Sequence, residues 1–277
     1  MVHYTEVHGV RVPTFIYGTA WKEDATAGLV RLALDAGFRG IDTANQRRHY
    51  HEAGVGQALA AAGLPRDDLF LQTKFTYLGG QDHRLPYDPR APIATQVEQS
   101  FASSLEHLGV DRIDSYVLHG PSMAHGLGSD DWEAWEAMAR LHRAGRTRLL
   151  GVSNVNLGQL AQLWTRSSTK PAIVQNRCFA ATGWDRAVRT FCREQGLVYQ
   201  GFSLLTANRE VLWDRRVHAI AARLGRAVPQ VIFRFALQIG MTALTGTTSA
   251  AHMAEDLGVH EFALDPAEVE TIERLVA

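Results

Sequence analysis

The stretch FIYGTAWKED, residues 15–24, begins as a short apolar strand and runs into a polar turn. An open dinucleotide-binding sheet needs G-x-G-x-x-G directly after its first strand, so that the backbone can approach a pyrophosphate at a helix start. GTAWKED does not supply it. Gly54-Val-Gly56 resembles part of that pattern, but it follows Glu52 inside a helical period, and close helix packing accounts for its two glycines. Outward from this stretch, strands begin near Phe15, Phe38, Leu69, Ile113, Arg148, Ala172, Leu197 and Met241. Between them the helical period recurs, at Leu29, Leu32, Ala33 and Ala36, then at Val55, Ala58, Leu59 and Ala62. It returns at Val97, Phe101, Ser104, Leu105 and Leu108, at Val228, Val231, Ile232 and Phe235, and finally at Val269, Ile272 and Val276. Such alternation closes into a parallel barrel or spreads into an open doubly wound sheet. Closure removes every strand edge, and the length of 277 residues suits it. The expectation is therefore α/β: a single (β/α)8 TIM barrel domain over residues 1–277. An N-terminal β-hairpin turning near His8-Gly9 and a short C-terminal helix complete it.

Composition narrows the function classes. Hydrophobic residues make up 46% and charged residues 21%, which excludes a disordered or fibrous chain. A net charge of −1 argues against a nucleic-acid partner or an anionic membrane surface. Two cysteines, Cys178 and Cys192, cannot staple a chain of this size, so a reducing compartment is expected. With no apolar leader in MVHYTEVHGVRVPTF and no run of 18 apolar residues, the expectation is a cytoplasmic protein, monomer or small homo-oligomer.

In such a barrel the active site lies at the C-terminal ends of the strands, so polar residues there become candidates. In chain order these are Gly18-Thr19, Asp42-Thr43-Ala44, Lys74, His119, Ser153-Asn154, Gln175-Asn176, Ser203 and Thr245 to Ser249. Singly, each has an ordinary explanation: Asp42 a turn cap, Lys74 a snorkelling side chain, His119 a satisfied core histidine. Lys74 nevertheless follows an apolar strand, where an unpaired ammonium is costly, and Asp42 is the partner it could meet at the mouth. A metal site would want several His or carboxylate ligands at one strand end, and none shows H-x-H; His49 and His51 have that spacing only in a loop.

Taken together, the motifs resemble the aldo-keto reductases. FRGIDTA is followed by Tyr50 and Glu52; then come TK at 73–74, VLHGP at 117–121, GVSN at 151–154 and Gln175, in order over essentially the whole chain. The resemblance implies an NAD(P)H-dependent carbonyl reductase, an oxidoreductase acting on a small-molecule aldehyde or ketone without a Rossmann motif. It assigns Tyr50 as general acid, Lys74 as the cation that tunes it, Asp42 as the partner of Lys74 and His119 as the donor orienting the carbonyl. A phenol near pKa 10 is a weak acid at neutral pH, and a neighbouring ammonium would lower it. The resemblance also places Ser153, Asn154 and Gln175 on the nicotinamide carboxamide and Phe202 against its ring. Ser203 and Leu205 fall near the pyrophosphate, and Gly18, Thr19, Ala20 and Asp42 on the same cofactor side. Trp21, Phe75 and Gly120 fall on the substrate side.

Three departures from the family pattern bear on the site. Tyr50 stands eight residues after Asp42 rather than five, on a loop two residues longer, and His49 is the alternative acid. Arg47 and Arg48 share that loop; they are solvated side chains or a clamp for a substrate carboxylate. At the phosphate end, Thr245, Gly246, Thr247, Thr248 and Ser249 precede His252 and Asp256, and the family's Lys and Arg for a 2′-phosphate are replaced by Gly246 and His252. NADP is the family default, and these replacements make NAD the competing cofactor. Two other functions remain open from the sequence: a cofactor-binding barrel acting as a redox-sensing or partner-binding subunit, and a metal-dependent hydrolase.

Overall fold

A computed structural model describes residues 2–275. Strands β1 (Tyr4–Val7) and β2 (Val10–Pro13) pair antiparallel around a turn at His8 and Gly9, both at positive φ. Eight strands then form a closed parallel barrel: β3 (Phe15–Gly18), β4 (Gly40–Asp42), β5 (Phe70–Phe75), β6 (Ile113–Leu118), β7 (Thr147–Ser153), β8 (Ile173–Arg177), β9 (Val198–Phe202) and β10 (Thr242–Thr245). β10 closes the ring against β3, with Thr245 beside Tyr17.

The helices outside the ring are α1 (Thr26–Ala36), α2 (Glu52–Ala62), α3 (Ile93–Leu108), α4 (Ser129–Arg143), α5 (Leu157–Arg166) and α6 (Arg186–Gln195). They continue with α7 (Arg209–Leu212), α8 (Arg215–Leu224), α9 (Val228–Gln238), α10 (Ala250–Leu257) and α11 (Pro266–Glu273). None is long and apolar enough to cross a membrane.

Two apolar layers hold the barrel. The larger lies between strands and helices, where Val97, Phe101, Ser104, Leu105 and Leu108 of α3 are all buried, as the period predicts. The smaller fills the N-terminal end: Val7, Val10 and Val12 of the hairpin pack with Ile16, Phe70, Leu149, Ile173, Val198 and Leu244. With that end plugged by hydrocarbon, the opposite mouth is left for chemistry.

The face of α1 differs from the expected one. Thr26, Val30, Ala33 and Leu34 are buried while Leu32 is 42% exposed, so the stripe is turned by a fraction of a helical repeat. Alanines at several positions left two overlapping stripes possible, and packing beside α2 and α10 selected one. Val276 lies outside the described residues. The paired glycines serve packing, as expected. A Cβ on Gly56 would stand 2.0 Å from the His107 carbonyl oxygen of α3, and one on Gly54 3.1 Å from Thr26 of α1.

Candidate active site

The centre of the barrel mouth is a buried ion pair. Lys74, near the end of β5, has its Nζ 2.6 and 2.7 Å from the two oxygens of Asp42 at the end of β4, and it also donates to the Thr43 carbonyl at 2.8 Å. Neither side chain reaches solvent. Removing two charges from water is costly, and the pair is tolerated because the remaining lone pairs are satisfied. Asp42 Oδ1 also accepts from Gln72 at 2.7 Å and Gln175 at 3.0 Å, and both amides donate further to Gln200 Oε1. Gln72 and Gln200 went unnoticed in the sequence. A glutamine inside each of the apolar runs LFLQTK and LVYQGF was the available sign.

Tyr50 reaches this pair from the long loop after β4. Its ring centre is 5.3 Å from Lys74 Nζ, and its ring meets His119 edge-on at 6.0 Å. The phenol makes no hydrogen bond among the described residues, so it is free toward the cavity. Burial, reinforced by the charge of Asp42, pushes its pKa up from the usual value. The downward shift expected from Lys74 is therefore not seen. Lys74 spends its N–H groups on Asp42 and Thr43, and the adjacent carboxylate cancels its charge.

His119 follows β6. Burial and the nearby Lys74 lower its pKa to about 3, so the imidazole is neutral, and its Nδ1 lies 2.6 Å from the Thr76 hydroxyl. His49 takes a different position, with its ring 3.8 Å from that of Trp21. The loop is anchored at both ends. The Gln46 carbonyl accepts from the His49 and Tyr50 amides, and buried Glu52 at the start of α2 accepts from Thr73, Ser104 and His107.

A cavity of about 1050 Å³ runs from Tyr50 and His119 along the mouth to α10. Of the expected cofactor residues, Gly18, Ala20, Asp42 and Gln175 line its first part, and Phe202, Ser203 and Leu205 its middle. Thr245, Gly246, Thr247, His252 and Asp256 line its far end. Thr19 is buried behind the wall, with its hydroxyl on the Asp42 carbonyl. Ser153, Asn154, Thr248 and Ser249 are not part of the lining either. Asn154, at positive φ, donates to the His119 carbonyl at 2.8 Å, and Ser249 caps α10 by accepting from the His252 amide.

The expected substrate residues divide. Trp21 and His49 line the same cavity. Gly120 lines a separate groove that shares His119. Phe75 is fully buried against Tyr77 and Tyr87. Arg48 lines neither space, and Arg47 turns its guanidinium onto the Tyr50 carbonyl at 3.2 Å, bracing the loop. Two further cations line the long cavity, Lys22 and Arg177. The Lys22 ammonium donates to the Gly246 carbonyl. Arg177 shares the strand face of Gln175 two residues earlier, a period-two relation legible in QNR. Among the described residues no three His, Cys, Asp or Glu side chains gather as a metal site.

The chain has relatives in both sequence and fold. The Aldo/keto reductase family pattern matches residues 15–277. An aldo-keto reductase of Mycolicibacterium paratuberculosis is 31% identical over 91% of this chain and 82% of its own. The crystal structure of an aldo/keto reductase from Brucella melitensis covers 99% of this chain and 100% of its own, with a TM-score of 0.86 and 26% identity. An aldo-keto reductase of Bombyx mori, solved in complex with NADP, covers 96% and 90%, with a TM-score of 0.81 and 25% identity. The chain belongs to the aldo/keto reductase family and is an oxidoreductase of that family.

Proposed function

We propose that the chain reduces an aldehyde or ketone to the alcohol, with Tyr50 as the proton donor and His119 as the group that orients the carbonyl. The observation that carries this reading is the meeting of the free Tyr50 phenol and the neutral His119 ring at one end of the long cavity. A phenol with a raised pKa is fully protonated at neutral pH, the state in which a general acid must begin. A neutral imidazole offers one N–H to a carbonyl oxygen without adding charge. Asp42 and Lys74 hold the floor beneath them. As negative charge develops on the substrate oxygen, Lys74 is the positive group beside the phenol, 5.3 Å from its ring centre, although Asp42 compensates it in the resting site.

The cavity residues fit a nicotinamide dinucleotide, which when bound would supply the hydride. Gln175 points its amide nitrogen at Asp42 and Gln200, and its Oε1 accepts nothing among the described residues, so a carboxamide N–H has a partner there. Phe202 offers an aromatic face to the same cavity, and Lys22 and Arg177 are the fixed cations available to phosphates. NADP is the preferred cofactor on the family's account and by the complex of the Bombyx mori relative. NAD is the second reading, favoured by Glu255 and Asp256 on the wall where a 2′-phosphate would sit.

The test is NADPH oxidation against a panel of aldehydes and ketones, with Tyr50→Phe and His49→Phe beside the parent. Tyr50→Phe is expected to lose at least about a hundredfold in kcat and keep its NADPH affinity. Full activity in Tyr50→Phe with loss in His49→Phe would transfer the acid role to His49.

A further inference from the structure

A groove of about 620 Å³ shares His119 with the long cavity. Its polar lining comes from Gln46, Thr76, Tyr77, Gln96, Ser122 and Asp130, and Gly120 leaves it unwalled where a side chain would have stood in ordinary contact with Asn154.

The hydrogen-bonding character of this groove is one-sided. Gln46 turns its amide nitrogen onto the Gly80 carbonyl at 2.7 Å, and Gln96 turns its own onto the Ala91 carbonyl at 2.8 Å. The hydroxyls of Ser122 and Tyr77 both donate to Asp131, at 2.9 and 3.0 Å, and that of Thr76 is paired with Nδ1 of His119. Apart from His119, the side-chain groups left over are acceptors. Among the described residues Gln96 Oε1 accepts nothing and the exposed Asp130 carboxylate accepts only from the neighbouring Ser129 hydroxyl at 3.3 Å, while Gln46 Oε1, also unpartnered, is closed off from the groove. The orientation of the Gln46 amide is fixed, because a flip would set its oxygen against that of Gly80. No lysine or arginine lines the groove. The nearby Arg84 is held by Asp82 and the Arg47 carbonyl.

We propose that this groove receives the remote part of the carbonyl substrate and selects neutral, hydroxyl-bearing carbonyl compounds over anionic ones, with Gln96 and Asp130 as the acceptors. The inference rests on the carbonyl-reductase reading and on His119 standing at the junction of the two spaces. A ligand that covers these acceptors strips them of water, so one that brings an O–H recovers free energy an alkyl chain cannot. Polar sites reject analogues lacking the matching group far better than apolar sites reject an added one. A carboxylate in the same place would meet Asp130 with no compensating cation.

The experiment compares kcat/KM for three four-carbon aldehydes, erythrose, butanal and succinic semialdehyde, with 3-aminopropanal as a cationic probe. The parent enzyme is set beside Gln96→Leu and Asp130→Lys. Erythrose is expected to exceed butanal by about tenfold or more, the worth of one good hydrogen bond, and succinic semialdehyde to be the poorest. Gln96→Leu should narrow the gap between erythrose and butanal, and Asp130→Lys should raise succinic semialdehyde relative to butanal. Succinic semialdehyde equal to erythrose in the parent, or a gap that both substitutions leave untouched, would overturn the proposal. A preference for 3-aminopropanal over erythrose would overturn the neutral class. Failure to turn over any aldehyde while NADPH still binds would instead remove the carbonyl-reductase reading beneath it.

Discussion

The Thr76 hydroxyl oxygen lies 2.6 Å from Nδ1 of His119, and the loop after β5 holds Thr76 in that attitude. The Thr76 carbonyl accepts from the Tyr87 hydroxyl at 2.8 Å and from the Gln81 amide at 3.3 Å. A Cβ on Gly80 would stand only 2.6 Å from Thr76 Cγ2, so the glycine lets the loop close down on that methyl. A neutral imidazole has one donor nitrogen and one acceptor nitrogen. The carbonyl-orienting role requires the hydroxyl to donate to Nδ1, which leaves the ring proton on Nε2, where a substrate oxygen can take a hydrogen bond.

Thr76→Val keeps the shape and removes the hydroxyl. It is expected to lower kcat by about tenfold, equivalent to about 1.4 kcal/mol of barrier, with NADPH affinity unchanged and activity restored in Thr76→Ser. Histidine ring nitrogen NMR supplies the readout that simple packing would not move: His119 should shift toward a mixture of tautomers in Thr76→Val alone. Unchanged kcat and tautomer would show that the contact does not position the ring.

The Asp42–Lys74 pair gives a prediction about stability. Breaking a buried pair from one side leaves an uncompensated charge and costs about 3–5 kcal/mol, while replacing both partners costs much less. Lys74→Met should therefore lower urea resistance strongly, tempered by the donors from Gln72 and Gln175 that remain on Asp42. The double variant Asp42→Asn with Lys74→Met should recover a large part of that loss. Strictly additive losses in the denaturation cycle would mean the two side chains are not energetically coupled. Every one of these variants should be poor in catalysis.

The barrel was legible because its evidence is distributed. Eight apolar strands with helical periods between them leave few topologies, and no single residue decides the outcome. Asp42, Lys74 and His119 could be placed at one mouth from strand ends alone, since a closed barrel brings all its C-terminal ends together, whereas Tyr50, on the loop after β4, came only from the family resemblance. Contacts across the ring were less accessible. Nothing in the sequence aims Gln72 and Gln200 at Asp42, and nothing separates an Arg47 that braces its own loop from one that faces a ligand. Side-chain direction on irregular loops depends on backbone angles that no period reports. The direction of the Tyr50 pKa is hidden for a related reason: the sequence shows Lys74 as a charge, and only the structure shows burial and the Asp42 carboxylate outweighing it.

Gly56 tests the packing of α2 on α3 independently of the chemistry. A Cβ there would stand 2.0 Å from the His107 carbonyl oxygen, a backbone atom that cannot rotate aside. Gly56→Ala should force the two helices apart and cost about 1–3 kcal/mol, the usual range for overpacking. Thermal unfolding should show the loss, with kcat per folded molecule retained. An undiminished melting temperature would mean that the helices are not in this contact in solution.

Asp256 links stability to pH and, on the proposed placement of the cofactor, links cofactor choice to pH as well. Burial raises its pKa from 3.8 to about 6, against a hydrogen bond from the Thr245 hydroxyl at 2.7 Å that favours the ionised form. Between those values the folded protein binds the proton that the unfolded chain has released. The stability this confers is complete below the unfolded pKa and is lost as pH rises through the folded one. Asp256→Asn does not titrate and can still accept from Thr245, so it should gain on the parent as pH rises from about 4 to above 6, by up to about 3 kcal/mol. The same carboxylate lines the far end of the long cavity. Once ionised, it repels a 2′-phosphate, and its removal should tighten NADPH more than NADH at about pH 8 and have little effect near about pH 5. Taking the ratio of variant to parent at each pH cancels the titration of the phosphate itself. Calorimetric titrations that give the same NADPH-to-NADH ratio in both proteins at every pH would place the 2′-phosphate away from Asp256, and the preference between the two cofactors would then have to be set elsewhere, with Lys22 and Arg177 the remaining cations to test.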